Sequence, residues 1–136
     1  MNRNSNQFKE QIVHIATMLV VSDIQQSADF YTQKFGFTIK EQQEDIILLE
    51  SGTMLLYLIP KSLPTPDKPT ATLALTNGPD TTSVNIVFRV KNCQKAYEAL
   101  REKGVTFLTP PQSPSWGGYR CFTKDPDGYL IEIEES

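Results

Sequence analysis

A few polar side chains stand where they could do chemistry, and the first of them is His14, the only histidine in the chain. An imidazole changes charge near neutral pH, so His14 could act as a base or as a metal ligand. Glu132 lies in a C-terminal segment that alternates apolar and acidic residues. The sequence contains no GxSxG elbow, no Walker loop and no GxGxxG fingerprint, and catalytic residues therefore remain unassigned.

The first half of the chain predicts one strand, one helix and three further strands. Ile12 to Val21 is rich in β-branched and apolar residues, which predicts a strand. Ser22 or Asp23 can cap the helix that follows, and Gly36 stands where this helix should end. A tight turn is expected at Ser51-Gly52. The three short strands are predicted at residues 37–42, 45–50 and 53–60.

The second half repeats this order of elements. Asn92 can cap a helix that ends near Gly104, and Asp125-Pro126-Asp127-Gly128 predicts a turn between the last two strands. The strands of this half are predicted at residues 84–90, 105–108, 119–124 and 129–134. Residues 61–82 form a Pro-rich connection, with a short extra strand or arm possible at 70–75. We therefore expect a flexible tail at residues 1–11, followed by a single domain at residues 12–136. This domain should contain two modules, at about residues 12–60 and 84–134.

Two segments, VVSDIQQSADFYTQKFGF and KDPDGYLIEIEE, resemble the vicinal oxygen chelate superfamily of glyoxalase I, bleomycin-resistance proteins and extradiol dioxygenases. The similar unit VFRVKNCQKAYEALREKGV agrees with this resemblance. It implies an α+β fold in which two βαβββ modules form a cup-shaped mixed sheet with helices on the outer face. It also implies a homodimer and, in the enzymes of the superfamily, a divalent metal held by His, Glu or Gln on four strands.

The resemblance places the four ligand positions of this chain at Ala16, Tyr57, Asn85 and Glu132. Only Glu132 keeps an ordinary ligand type, because alanine has no donor atom and neutral phenol and amide groups are weak ligands for zinc or iron. We therefore expect no metal and no cofactor. The alternative is a divalent metal bound by His14 and Glu132, since His14 lies two residues before Ala16 and would share its strand face.

Strand alternation assigns further residues to the cup, the face that the ligand positions share. The opposite face of the predicted strands is almost wholly apolar, and we expect it to pack under the helices. Ile15 is assigned to this packed face. Glu132 could pair with Arg89 across strands or recognise a polar ligand. The predicted ligand pocket consists of His14, Ala16, Met18, Tyr57, Asn85, Arg89, Trp116 and Glu132.

The loop SPSWGGYR carries the sole tryptophan. Trp116 could stack on a flat ligand at the mouth of the cup, or it could clamp its loop onto the domain or a dimer partner. Arg120 could bind an anionic group or anchor the turn that contains Asp125 and Asp127; the turn is favoured because those carboxylates are close in sequence.

Composition limits the classes of partner. The net charge of −3 and the scattered Lys and Arg residues argue against nucleic acid, which is bound by a basic stripe. The sequence offers no membrane span and no signal peptide, so a cytoplasmic location is expected. Cys93 and Cys121 match no metal motif, and a reducing cytosol disfavours a disulfide between them.

These observations favour a protein that binds a small organic molecule, and they favour binding over catalysis. The first alternative is a metal-dependent lyase or dioxygenase with an altered ligand set. The second is a partner-binding module whose cup holds no ligand.

Overall fold

The computed structural model describes residues 3–136 of the chain. It contains three helices and seven strands within those residues. They are α1 (Arg3–Gln11), β1 (Ala16–Val20), α2 (Ile24–Phe35), β2 (Thr38–Gln43), β3 (Ile46–Ser51), β4 (Met54–Ile59), β5 (Asn85–Val90), α3 (Cys93–Glu102), β6 (Arg120–Lys124) and β7 (Leu130–Glu135).

The strands form two mixed sheets, one from each predicted module, and neither sheet is closed. The first sheet has the order β1-β4-β3-β2 and the second the order β5-β7-β6. In both, the strand before the helix pairs in parallel with the last strand of its module. The α+β fold with two related modules is thus confirmed.

Both helices of the modules begin at the capping residues that the sequence indicates. The side chains of Asp23 and Asn92 accept hydrogen bonds from the backbone N–H groups of Gln26 and Lys95, each at 2.9 Å. These bonds satisfy N–H groups that have no partner within the helix. Gly36 ends α2 with a φ of 74°, the left-handed conformation that glycine adopts without strain.

The second module has three strands instead of the expected four. The segment 105–108 forms only an isolated bridge, between Phe107 and Thr123, and Pro110 and Pro111 follow it after one residue. Proline removes ladder donors, so the pairing does not extend. The short strand or arm that the sequence allowed at 70–75 forms only a single bridge, between Ser62 and Leu73.

The N-terminal region differs from the expected tail and strand. Arg3–Gln11 forms helix α1, in a stretch that has no glycine or proline, whereas Met1 and Asn2 lie outside the described residues. Strand β1 begins only at Ala16, where its parallel pairing with Leu55 of β4 begins. Ile15 therefore precedes the sheet and is exposed, against the prediction that it packs under the helices.

The two sheet faces otherwise divide as expected. The face that packs against the helices, called here the helix face, carries Leu56, Leu58, Ile86, Ile131 and Ile133, all buried. One hydrophobic cluster joins these residues to side chains of α2 and α3, and it includes residues of both modules. The opposite face of each sheet is called the cup face.

The cup face of each sheet carries both buried and exposed side chains. On the first sheet Leu55 and Ile59 are each only 5% exposed, whereas Met18 is 45% exposed. Ser62 and Leu73, from the connection that follows β4, lie beside Ile59 in one depression. On the second sheet Glu132 is buried and Val87 is 46% exposed. Both cup faces therefore leave an apolar side chain open to solvent.

Polar contacts join the modules where β1 ends and the β6–β7 turn begins. The Tyr31 hydroxyl donates to Asp125 Oδ2 at 2.8 Å, and the Tyr129 hydroxyl donates to the Val20 carbonyl at 2.7 Å. The Ser22 hydroxyl donates to Asp127 Oδ1 at 2.6 Å.

Within the described part of the chain, no helix is both long and apolar enough to span a bilayer.

Candidate functional site

Glu132 is a buried carboxylate on the cup face of the second sheet. It lies on β7 and only 6% of the residue is exposed. The Asn85 side-chain amide on β5 donates to its Oε1 at 2.9 Å, and Arg120 Nη1 on β6 lies 3.7 Å from its Oε2. Both carboxylate oxygens are therefore engaged by neighbouring strands. Burial of a charge at this depth requires such partners.

Arg120 is held between two aromatic rings. Its guanidinium carbon lies 4.8 Å from the centre of the Trp116 ring and 4.9 Å from that of Phe122. Cations are attracted to the faces of aromatic rings at these distances. Among the described residues, its guanidinium has an ion pair with Glu132 but no hydrogen bond to another side chain or to the backbone. Its remaining N–H groups are free to bind a ligand.

The loop that carries Trp116 combines anchored ends with a free tip. A bridge between Gln112 and Arg120 closes the loop on β6. Gly117 and Gly118 have φ angles of 99° and 85°, a conformation that side chains with a Cβ rarely adopt. Trp116 is 74% exposed as a residue, so a large part of its surface is open to solvent. The ring therefore does not clamp the loop into the core of its own chain.

The ion pair with Arg89, one of the two alternatives that the sequence left open for Glu132, is not formed. Arg89 stands opposite Glu134 in the β5–β7 register and is exposed, whereas Arg120 reaches Glu132. The reason is geometric. On the β6 side, Phe122 is the residue opposite Glu132, and Arg120 reaches Glu132 diagonally across the pair.

The prediction that Arg120 anchors the Asp125–Gly128 turn was wrong. Asp125 Oδ1 instead accepts hydrogen bonds from the backbone N–H groups of Asp127 and Tyr129, at 2.9 and 3.0 Å. Burial raises the pKa of Asp125, although these bonds and the one from Tyr31 oppose the rise.

Neither Phe122 nor the ion pair of Arg120 with Glu132 was identified from the sequence. Counting outward across the turn, which sets Phe122 opposite Glu132, could have found both.

The remaining predicted pocket residues belong to the first module. Ala16 and Met18 lie on β1, and Met18 pairs with Tyr57 on β4. No hydrogen bond or ion pair among the described residues joins these three to Asn85 or Glu132. The structure thus divides the predicted pocket into two groups, one on each sheet.

His14 lies in the irregular segment before β1, so strand alternation with Ala16 does not apply to it. It borders a shallow depression together with Lys40, Glu50 and Leu55 of the first sheet. Glu132, by contrast, contacts two side chains of the second sheet. The described residues contain no group of three or more His, Cys, Asp or Glu side chains that could hold a metal ion.

A depression of about 540 Å³ opens beside the Glu132 cluster, at the free edge of β5. Asn85 and Val87 lie in its wall and so connect it with the cup face. The wall is otherwise largely apolar, with Phe37, Met54, Ile86 and Phe88. An apolar depression with a few placed polar groups has the composition of a small-molecule site.

The family model for the Glyoxalase/Bleomycin resistance protein/Dioxygenase superfamily matches residues 11–133. The chain belongs to this superfamily. It is 33% identical over 128 residues to the lactoylglutathione lyase of Escherichia coli O157:H7, covering 88% of this chain and 89% of that protein. It is 34% identical over 128 residues to the uncharacterized protein YurT of Bacillus subtilis, with 88% and 95% covered.

Solved structures of the superfamily share the fold. A glyoxalase/bleomycin resistance protein/dioxygenase from Nocardioides superposes with a TM-score of 0.71 at 22% identity, covering 97% of this chain and 92% of the other. A lactoylglutathione lyase from Agrobacterium tumefaciens also gives 0.71, at 16% identity, with 93% and 96% covered.

The divalent metal implied by the superfamily does not fit the residues present here. At the four ligand positions, Ala16 supplies no donor, and the Tyr57 phenol and the Asn85 amide are weak donors. The one carboxylate, Glu132, is already engaged by Asn85 and Arg120. A cation at Glu132 would also approach the positive charge of Arg120. We therefore derive no reaction step through a metal.

Proposed function

We propose that this protein binds a small organic molecule on the cup face of its second sheet, without a metal ion. The engagement of Glu132 carries the proposal. This residue occupies the one superfamily ligand position that keeps a carboxylate, yet Asn85 and Arg120 take both of its oxygens. The polar groups are thus arranged as a hydrogen-bonding cluster, which suits recognition of an organic ligand better than metal coordination.

The cluster suggests the chemistry of the ligand. A guanidinium carries five N–H donors in a plane, and Glu132 faces only part of the Arg120 group. The free N–H groups can donate to a carbonyl or carboxylate oxygen. Trp116 offers an exposed ring face, and Val87 offers an apolar wall. A planar organic molecule with an oxygen acceptor fits these features.

Trp116 also provides the means to test the proposal, because it is the only tryptophan. Its fluorescence is followed while bleomycin and a panel of planar aromatic carboxylates and ketones are titrated into the protein. We expect saturable quenching at one site per chain. Arg120→Lys should weaken binding by about tenfold, the equivalent of one charge-assisted hydrogen bond of roughly 1.4 kcal/mol. Quenching that never saturates, or that is the same in Arg120→Lys, would overturn the assignment of the site.

Arg89→Lys is the matched control for that variant. Arg89 lies on the cup face of the same sheet, is exposed, and makes no ion pair within the described residues. The Arg89→Lys variant should bind the same ligands with unchanged affinity. An equal loss in both variants would indicate a general charge effect in place of a specific contact.

A metal-dependent lyase is the second candidate, since several relatives carry the name lactoylglutathione lyase. Elemental analysis of the purified protein, with an assay on the hemithioacetal of methylglyoxal and glutathione, tests it. We expect less than one equivalent of zinc, nickel or iron and no turnover. A stoichiometric metal that is lost in both His14→Ala and Glu132→Ala would reverse the proposal.

The proposal includes a cytoplasmic homodimer. Exposed apolar side chains on the cup faces support the dimer, namely Met18 and Val87. Light scattering coupled to size-exclusion chromatography measures the mass of the protein in solution. The mass of a monomer would contradict the proposed homodimer. A protein partner recovered in place of any ligand would favour the partner-binding alternative.

A further inference from the structure

Cys93 and Cys121 lie in contact within the core of the second module. Cys93 is the first residue of α3 and Cys121 lies on β6, and both thiols are free and buried. Their Sγ atoms are 3.9 Å apart. The pairing crosses 28 positions of the chain, so neither the spacing nor a motif indicates it. Two free thiols in contact are one oxidation step away from a covalent link.

We propose that Cys93 and Cys121 form a redox pair, which hydrogen peroxide converts to a disulfide within the chain. The oxidant class follows from burial. Cys93 is 0% exposed and Cys121 is 1% exposed, so a bulky disulfide such as oxidised glutathione cannot reach either sulfur in the folded chain. Hydrogen peroxide is small and uncharged, and it can penetrate a packed interior during local opening.

The reaction balances with peroxide as the only co-reactant. One cysteine sulfur attacks a peroxide oxygen, the O–O bond breaks, and hydroxide leaves and takes up the thiol proton as water. The sulfenic acid formed is then attacked by the second sulfur. Its S–O bond breaks, the S–S bond forms, and a second water leaves. The two thiols have lost two electrons and the peroxide has gained them.

Cys93 is the better candidate for the first attack. It stands at the N-terminal end of α3, where the helix dipole favours a thiolate. Burial and the neighbouring Glu135 carboxylate nevertheless raise the pKa of Cys93, and burial together with the neighbouring Cys93 raises the pKa of Cys121 to about 12. Because the thiolate is scarce at neutral pH, we expect a slow reaction that responds to sustained oxidation.

Bond formation requires the two sulfurs to approach by about 1.9 Å, since a disulfide bond is about 2.05 Å long. Strand β6 is the element that can move, because it lies at the edge of its sheet. Beyond its pairing with β7, its strand pairing within residues 3–136 is limited to isolated bridges with Phe107 and Gln112. The N-terminus of α3 is held more firmly, by the Asn92 cap and by Glu135, which accepts from the Cys93 N–H at 3.0 Å.

Movement of β6 would reach the cup face. Cys121 stands between Arg120 and Phe122 on β6, and the Arg120 guanidinium lies against the rings of both Trp116 and Phe122. Formation of the disulfide should therefore change the fluorescence of Trp116. This change is independent of whether a ligand binds.

The full chain is incubated with hydrogen peroxide after complete reduction, and thiols are then counted in denaturant. We expect both thiols to disappear together, and the linked Cys93 and Cys121 peptides should be lighter by two hydrogens than the sum of the reduced peptides. Peptide mapping should show a Cys93–Cys121 link, and dithiothreitol should restore both thiols. The unfolding temperature should rise on oxidation, because the link restricts the unfolded chain.

Met18 serves as the internal control for the oxidant, since its exposed thioether forms a sulfoxide readily. Two free thiols in a protein whose Met18 is oxidised would overturn the proposal. Oxygen added to either cysteine without a link, or a link between two chains, would overturn it as well. Cys93→Ala and Cys121→Ala should each abolish the link, but the mapping of the wild-type chain decides the question even if neither variant folds.

Discussion

The hydroxyl of Tyr31 on α2 donates to Oδ2 of Asp125 at 2.8 Å, although the two residues are 94 positions apart. Both are buried, and each belongs to a different module. Burial raises the pKa of Tyr31 above its ordinary range, so the phenol remains a donor at every working pH. This bond therefore ties α2 to the turn between the last two strands.

Tyr31→Phe should lower the free energy of unfolding by about 1–3 kcal/mol, because it removes a buried hydrogen bond to a carboxylate. Urea denaturation measures this loss. Tyr57→Phe is the matched control, since the Tyr57 hydroxyl has no hydrogen bond among the described residues, and it should change the value by less than about 0.5 kcal/mol. Equal losses in the two variants would count against a specific role for the Tyr31–Asp125 bond.

Asp125 should give the stability a recognisable pH dependence. Burial raises its folded-state pKa above the ordinary 3.8, so the folded chain binds a proton more readily than the unfolded chain. The resulting stabilisation is complete below pH 3.8 and is lost as pH rises through the folded pKa. Wild type should therefore gain stability relative to Asp125→Asn as pH falls from neutrality towards 3.8.

Denaturant unfolding of both proteins at a series of pH values tests this prediction. The amide of Asp125→Asn cannot titrate, so only the change in the difference between the two proteins is interpreted. If wild type instead loses stability relative to Asp125→Asn as pH falls, the folded-state pKa of Asp125 is lowered and the prediction is wrong.

Arg120→Lys should alter the environment of Trp116 even without a ligand. A lysine lacks the planar group that stacks between Trp116 and Phe122, so the ring should become more mobile and its emission should shift to the red. Steady-state fluorescence and its anisotropy measure the effect. Arg89→Lys should leave both unchanged, and an unchanged spectrum in Arg120→Lys would contradict the stacked arrangement.

Restoring donors at the four ligand positions should create a metal site. The triple variant Ala16→His, Tyr57→Glu and Asn85→His, with the native Glu132, should bind about one equivalent of zinc or nickel per chain, whereas wild type should not. Isothermal titration calorimetry measures the stoichiometry. The same variant carrying Glu132→Ala is the control and should bind more weakly. A triple variant that binds no more metal than wild type would show that the four positions do not converge.

Local chemistry allowed much of the fold to be predicted. The caps at Asp23 and Asn92, the end of α2 at Gly36 and the apolar helix face all depend on residues close together in the chain, and all are found as expected. The residue types at the four superfamily ligand positions can also be read from the sequence. Only one of these positions, Glu132, carries a carboxylate.

Other features depended on how distant segments pack, and these only the tertiary structure decided. The pairing of Glu132 with Arg120 follows from a diagonal approach across β6 and β7. The position of His14 depends on where β1 begins, which its pairing with β4 determines. The contact between Cys93 and Cys121 joins a helix to a strand through the core. Periodicity identifies the face on which a residue lies, but not which residue of another element it meets, because that depends on register and on loop paths.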